Sequence, residues 1–156
     1  MSSQNNLNSI LGNHTVGDYM TTNILVGKEE FPLSHITRLF NELKIHHLPI
    51  VDDENQVIGI ISANDLLRTF SMVMEMGDIA VSEDLADDSG IADFITRNPA
   101  CCNPDDSILT AVRAFSDGKF HALPVVSNGK LVGIFTAKDL IRFLSGICET
   151  EEKETG

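Results

Sequence analysis

The sequence predicts two copies of one small unit, each built from short helices and strands. Residues 44–51 return as residues 119–126, and residues 57–68 return as residues 131–142. The offset falls from 75 to 74 because the polar turn between these blocks has five residues in the first copy and four in the second. A turn between strands tolerates this loss because it can adopt another turn type. Two copies at so long a period indicate a duplication rather than a solenoid.

Each copy is predicted to begin with a short helix, an extended segment and a longer helix. Residues 16–20 and 91–95 are the short helices, and residues 21–26 and 96–101 are the extended segments. Apolar side chains at helical spacing predict the longer helix. They are Leu33, Ile36, Leu39, Phe40 and Leu43 in the first copy and Ile108, Ala111, Val112 and Phe115 in the second.

Two strands and a final helix complete each copy. The strands are residues 48–51 and 57–61 in the first copy and residues 123–126 and 131–135 in the second. The final helices carry apolar faces. These faces are Leu66, Phe70, Val73 and Met74 after Ser62, and Leu140, Phe143, Leu144 and Ile147 after Thr136. Candidate N-caps of the longer helices are Ser34 in the first copy and Asp105, Asp106 or Ser107 in the second.

Composition divides the chain into two repeats and three polar segments. We expect a flexible N-terminal arm (1–13), a first repeat (14–76), an acidic connector (77–90), a second repeat (91–148) and an acidic tail (149–156). Three strands with their helices leave much apolar surface uncovered, so we expect the two copies to cover each other.

The net charge of −12 argues against nucleic acid and anionic membranes as partners. The start of the chain lacks the features of a signal peptide, and no apolar run is long enough to span a bilayer. Three cysteines, Cys101, Cys102 and Cys148, without a secretory signal predict reduced thiols and a cytoplasmic protein. Their spacing does not match a metal site, so we predict no metal.

In each copy a strand runs directly into a helix through a hydroxyl residue that lies three positions before an aspartate. The pairs are Ser62 with Asp65 and Thr136 with Asp139. One interpretation is a capping box, which satisfies free amides at a helix start. The other is a nucleotide site, because a helix N-terminus suits a phosphate and a carboxylate accepts hydrogen bonds from ribose hydroxyls. In that case Gly59 and Gly133 would permit close backbone approach.

Four apolar side chains next to these pairs are candidate walls for a purine. They are Ile60, Ile61, Ile134 and Phe135.

The doubled His-x-Leu-Pro and Gly-h-h-Ser/Thr-x-x-Asp blocks (h is apolar) resemble a tandem pair of CBS domains, named after cystathionine β-synthase. The resemblance covers residues 13–147. It implies an α+β fold of two β-α-β-β-α units packed with pseudo-twofold symmetry. It also implies clefts for a regulatory adenosine-containing ligand such as AMP, ADP, ATP or S-adenosylmethionine, with no obligatory cofactor, and a homodimer.

The resemblance also assigns site residues. Asp65 and Asp139 would bind ribose hydroxyls, and Ser62 and Thr136 would contact phosphate or ribose. The second tier of predicted ligand contacts is Ile24, His46, His47, Ala100, His121 and Ala122, and the comparison of the two copies adds Lys138.

The two copies differ at positions next to these residues. Lys138 could add a phosphate contact that Asn64 cannot, which favours the second site. Ile24 stands where the second copy has Pro99, which changes the adenine side of the first site. Arg68 and Arg142 lie three residues beyond the aspartates, where an ion pair on the helix surface or simple solvation is expected.

The leading functional hypothesis is a sensor that binds an adenosine-containing ligand and signals to an effector protein. The alternative is a dimerisation or interaction scaffold in which the hydroxyl residues are only helix caps. An enzyme is not predicted, because the sequence offers no phosphate-binding glycine loop and no nucleophile beside the repeated histidines. We therefore predict no catalytic residue.

Overall fold

The computed structural model describes residues 2–75 and 90–155. The elements in chain order are α1 (Ser2–Asn13), α2 (Val16–Tyr19), α3 (Leu33–Leu43), β1 (His47–Val51), β2 (Val57–Ser62), α4 (Ala63–Glu75), a 3₁₀ turn (Ala92–Phe94), β3 (Thr96–Arg97), α5 (Ile108–Ser116), β4 (Ala122–Ser127), β5 (Lys130–Thr136) and α6 (Ala137–Thr155). Mixed helices and strands in two repeated units confirm the α+β prediction.

The chain forms two compact units, and each unit contains segments of both sequence repeats. The terminal unit combines Met1–Ile24 with Ala100–Gly156, and the central unit is Leu25–Pro99. The first repeat therefore starts in the terminal unit, which holds most of the second repeat. The second repeat starts in the central unit, which holds most of the first repeat. We describe the two units separately.

The crossing follows from strand pairing at corresponding positions. In the terminal unit, Thr21 bridges Ile134 of β5 in antiparallel fashion. In the central unit, Thr96 of β3 pairs with Ile60 of β2. Each extended segment satisfies its backbone groups on the strand that precedes the Ser/Thr-x-x-Asp block.

The strand hairpins explain the change in repeat offset. β4 and β5 are joined by Asn128 and Gly129, which both have positive φ, as a tight two-residue hairpin turn requires. β1 and β2 are joined by a longer turn, in which one Asp52 carboxylate oxygen accepts from the amides of Glu54 and Gln56 at 2.9 Å each. The extra residue is therefore absorbed by a side-chain-stabilised turn.

Each unit has its own apolar core, and each core takes residues from both repeats. Val16 of the first repeat packs with Ile108 and Phe135 of the second in the terminal unit. Ile91 of the second repeat packs with Ile36 of the first in the central unit. The expectation that the copies cover each other is met by this exchange of segments.

The predicted helical faces are largely confirmed. Leu33, Ile36 and Phe40 are the buried face of α3, and Ile108 and Ala111 that of α5. Among the predicted N-caps, Ser107 accepts from the Thr110 amide at 3.3 Å. The prediction of Ser34 is wrong, since Pro32 holds the N-cap position of α3.

Both ends of the chain differ from the sequence expectation. The predicted flexible arm forms α1, because Leu11 is buried in the terminal core and α1 packs against α5. The predicted acidic tail continues α6 to Thr155. The acidic connector lies almost entirely outside the described residues. In the described ranges, no helix combines the length and the apolar character needed to cross a bilayer.

Candidate functional site

Both strand-to-helix junctions form without a linker. β2 ends at Ser62 and α4 begins at Ala63, as β5 ends at Thr136 and α6 begins at Ala137. The first helical amide donates to a histidine carbonyl in each case: Ala63 to His46 at 2.9 Å and Ala137 to His121 at 3.1 Å. The repeated histidines thus hold the helix start through their backbone, while both side chains are exposed.

In the central unit, Ser62 and Asp65 form a reciprocal cap. The Ser62 hydroxyl and amide donate to Asp65 Oδ2 at 2.6 and 3.2 Å. The Asp65 amide donates back to Ser62 Oγ at 3.0 Å. Arg68 Nη2 donates to the other carboxylate oxygen at 2.9 Å. The capping interpretation therefore describes the local geometry correctly.

The terminal unit repeats this cap with Thr136 and Asp139. The Thr136 amide and hydroxyl donate to Asp139 Oδ2 at 2.8 and 3.0 Å. The Asp139 amide lies 3.4 Å from Thr136 Oγ1. Arg142 Nη1 lies 3.6 Å from Asp139 Oδ1. Both arginines therefore pair with the aspartate three residues before them, although the Asp139 partner is buried rather than on the surface.

Thr21 distinguishes the two caps. Its hydroxyl donates to Asp139 Oδ1 at 3.0 Å, across 118 positions of sequence. The Asp139 side chain is only 3% exposed, whereas that of Asp65 is 22% exposed. Thr21 was missed as a site residue. The signal that could have found it is its position at the start of the extended segment, 75 residues before Thr96.

The repeated glycines serve the chain's own packing. A β-carbon at Gly133 would lie 2.6 Å from Met20 Sδ and 3.0 Å from the Thr21 carbonyl oxygen. A β-carbon at Gly59 would collide with Ile95. The close approach expected at these glycines is therefore made by the chain itself, through Met20 and Thr21 at Gly133 and through Ile95 at Gly59.

Three of the four proposed purine walls are buried core residues. Ile61 and Phe135 are fully buried in the central and terminal cores, respectively. The expectation that they line an open site is wrong, because strand alternation points them inward. Ile60 is half-buried, and Ile134 is 7% exposed.

The second-tier residues divide between the units. His46 and His47 belong to the central unit. The terminal unit holds Ile24, Ala100, His121, Ala122 and Lys138. Their side chains differ in exposure. Exposed are His46, His121 and Lys138, half-buried are His47, Ile24 and Ala100, and buried is Ala122.

None of the three cysteines, all of which lie in the described ranges, forms a disulfide. Cys101 and Cys148 are exposed and Cys102 is buried. Burial raises the pKa of Cys102 to about 12, with smaller contributions from Asp106 and Cys101. Partial desolvation of its thiol also raises the pKa of Cys101. Across residues 2–75 and 90–155, no group of three His, Cys, Asp or Glu side chains is arranged to hold a metal ion.

The repeated units and their junctions are those of a CBS domain pair. The CBS domain profile matches residues 16–71 and again residues 91–146. The chain therefore belongs to the CBS domain family, as a tandem pair.

Two curated relatives cover nearly the whole chain. The uncharacterized protein MJ1225 of Methanocaldococcus jannaschii is 30% identical over 144 residues, which is 92% of this chain and 48% of that protein. The chloroplastic CBS domain-containing protein CBSX2 of Arabidopsis thaliana is 30% identical over 178 residues, covering 98% of this chain and 74% of that protein. This chain thus spans about half the length of the first relative.

Solved structures share the fold. A crystal structure of CBSX2 in complex with AMP has a TM-score of 0.72 and 28% identity, covering 86% of this chain and 98% of that chain. The CBS domain pair of protein MJ0100, in complex with 5'-methylthioadenosine and S-adenosyl-L-methionine, has a TM-score of 0.71. It is 22% identical and covers 85% of this chain and 96% of that chain, so it supports the fold alone.

Proposed function

We propose that this chain is a regulatory module that binds an adenosine-containing ligand and passes the binding event to an effector protein. The role is regulatory rather than catalytic, and the protein acts in the cytoplasm as a homodimer. The candidate ligands are AMP, ADP, ATP and S-adenosylmethionine.

The observation that carries this proposal is the likeness to CBSX2. That relative matches over 86% of this chain at 28% identity, and its structure contains AMP. The repeated junction supports the same proposal, because each unit presents a carboxylate within one turn of a helix start. A carboxylate can accept from both hydroxyls of a ribose, and a helix start suits a phosphate.

Isothermal titration with AMP, ADP, ATP and S-adenosylmethionine tests the proposal. We expect Asp65→Ala and Asp139→Ala each to weaken binding by about 1–3 kcal/mol at its own site, since each removes a charged hydrogen-bond acceptor. Asp53→Ala is the matched control, because the substitution removes the same charge from a side chain that is 98% exposed. The proposal would be refuted if none of the four ligands produced heat at protein concentrations well above the micromolar range.

A scaffold that needs no ligand is the second candidate. The observation that favours it is the reciprocal capping at both junctions, which gives Ser62, Asp65, Thr136 and Asp139 a structural role. A scaffold would keep its oligomeric state and its partner when AMP is added, and when Asp65 is replaced by Ala. Light scattering with and without AMP distinguishes the two candidates.

A further inference from the structure

Building on the proposed function, we propose that Thr21 is a latch on Asp139, so that the ligand fills the Asp65 site before the Asp139 site. A latch here means a hydrogen bond that occupies the carboxylate before any ligand arrives. Thr21 belongs to the first repeat and Asp139 to the second, so the latch joins the two repeats within the terminal unit.

Hydrogen bonds already occupy much of the acceptor capacity of Asp139. Oδ1 accepts from the Thr21 hydroxyl at 3.0 Å, and Oδ2 accepts from the Thr136 amide and hydroxyl at 2.8 and 3.0 Å. The Arg142 guanidinium lies 3.6 Å from Oδ1. A carboxylate offers about four lone-pair positions. Three of them are occupied and a ribose needs two, so one donor must leave. Thr21 is the donor on Oδ1, whereas the donors on Oδ2 form the cap of α6, so the ribose displaces Thr21.

Burial acts in the same direction. The Asp139 side chain is 3% exposed, so an arriving hydroxyl has little open surface to approach. The Thr21 hydroxyl is therefore both a competing donor and part of the cover over the carboxylate.

The central unit provides an internal comparison. Thr96 occupies the position of Thr21 and pairs with Ile60, as Thr21 pairs with Ile134. Its side chain is exposed, and the described hydrogen bonds of Asp65 come from Ser62 and Arg68. Asp65 also accepts three hydrogen bonds, but the donor on its Oδ1 is Arg68, whose side chain is 68% exposed and returns to water at little cost when a ribose takes its place. The Asp65 side chain is also more open, at 22% exposed.

The unequal carboxylates predict unequal affinities. A hydrogen bond to a charged group is strong. If the ligand must break the bond between Thr21 and Asp139, its affinity for the Asp139 site falls about tenfold. This order is opposite to the one favoured by Lys138. Lys138 is exposed, so solvent screens its contact with a phosphate and the displaced hydrogen bond outweighs it. Thr21 is accordingly a positioning residue, which acts on the ligand through Asp139.

Titration with AMP followed by amide NMR tests this order, because the amides of Asp65 and Asp139 report on the two sites separately in the wild-type chain. We expect the Asp65 resonance to saturate at about tenfold lower AMP than the Asp139 resonance. Thr21→Val, which keeps the shape and removes the donor, should bring the two midpoints together by strengthening the Asp139 site.

Two further variants separate the latch from a general packing effect. Thr21→Ser restores a hydroxyl and should restore the wild-type difference, although it also removes a methyl group. Thr96→Val is the matched control in the central unit and should leave both midpoints unchanged. Thermal unfolding of each variant confirms that it is folded at the titration temperature.

The outcomes distinguish this inference from the proposed function. Equal midpoints in the wild type, or a weaker Asp139 site in Thr21→Val, would overturn the latch while leaving the adenosine-ligand proposal standing. Absence of binding at both sites would overturn both. Saturation of Asp65 first, with selective strengthening of the Asp139 site in Thr21→Val, supports both.

Discussion

Thr21 and Ile134 exchange both of their backbone hydrogen bonds, each at 2.9 Å. This bridge joins the start of the first repeat to β5 of the second, and Gly133 permits it. A side chain at position 133 would meet Met20 and the Thr21 carbonyl oxygen. The glycine of the repeated block is therefore explained by the exchange of segments between repeats.

Gly133→Ala should destabilise the protein by about 1–3 kcal/mol, because the added methyl group must displace a crossing segment held by backbone hydrogen bonds. The matched control is Gly146→Ala in α6, where an added β-carbon meets nothing within 4 Å. That change should stabilise by about 0.5–1 kcal/mol through the helix preference for Ala. Urea unfolding measures the free energy of unfolding of both variants. An unchanged free energy of unfolding in Gly133→Ala would contradict the close contact at position 133.

Leu11→Ala should destabilise the protein by about 2–4 kcal/mol, because Leu11 is 5% exposed in the terminal core. Leu7→Ala in the same helix is the control, since Leu7 is 48% exposed and its loss should stay within about 0.5 kcal/mol. Thermal unfolding followed by circular dichroism compares the two variants. Equal effects would mean that α1 does not pack on the core in solution.

Stability should fall as pH rises above the ordinary thiol range, and Cys102 should account for part of the fall. Burial raises the pKa of Cys102 from 9.0 to about 12 in the folded protein. Above pH 9 the unfolded thiol therefore loses its proton while the folded thiol keeps it, which favours unfolding. This contribution is fully present below pH 9 and is lost as pH rises toward 12.

Urea unfolding with reductant at about pH 8 and about pH 10.5 measures this dependence. We expect Cys102→Ala to lose less stability between the two pH values than the wild type. Cys148→Ala, which changes an exposed thiol, should lose as much as the wild type. An unchanged slope in Cys102→Ala would contradict the raised pKa.

Much of the fold was predictable because the deciding signals are local. The apolar spacing of Ile36 and Phe40 predicted α3, and the four-residue polar segment 127–130 predicted the turn between β4 and β5. The Ser62–Asp65 cap was predictable for the same reason, since both partners lie within one helical turn. The positions of α1 and Thr21 were not, because each depends on contacts with residues more than 90 positions away.

The sequence by itself determined the repeat, the order of its elements, the caps at the starts of α4 and α6 and the membership of the CBS domain family. Tertiary structure alone decided which strand each extended segment joins. It also decided how exposed each aspartate carboxylate is and which donors already occupy it. The physical reason is that the two repeats carry nearly the same local patterns, so a short segment such as 21–26 fits either strand equally well by local preference. Long-range pairing resolves the choice, and through Thr21 it makes Asp139 unlike Asp65.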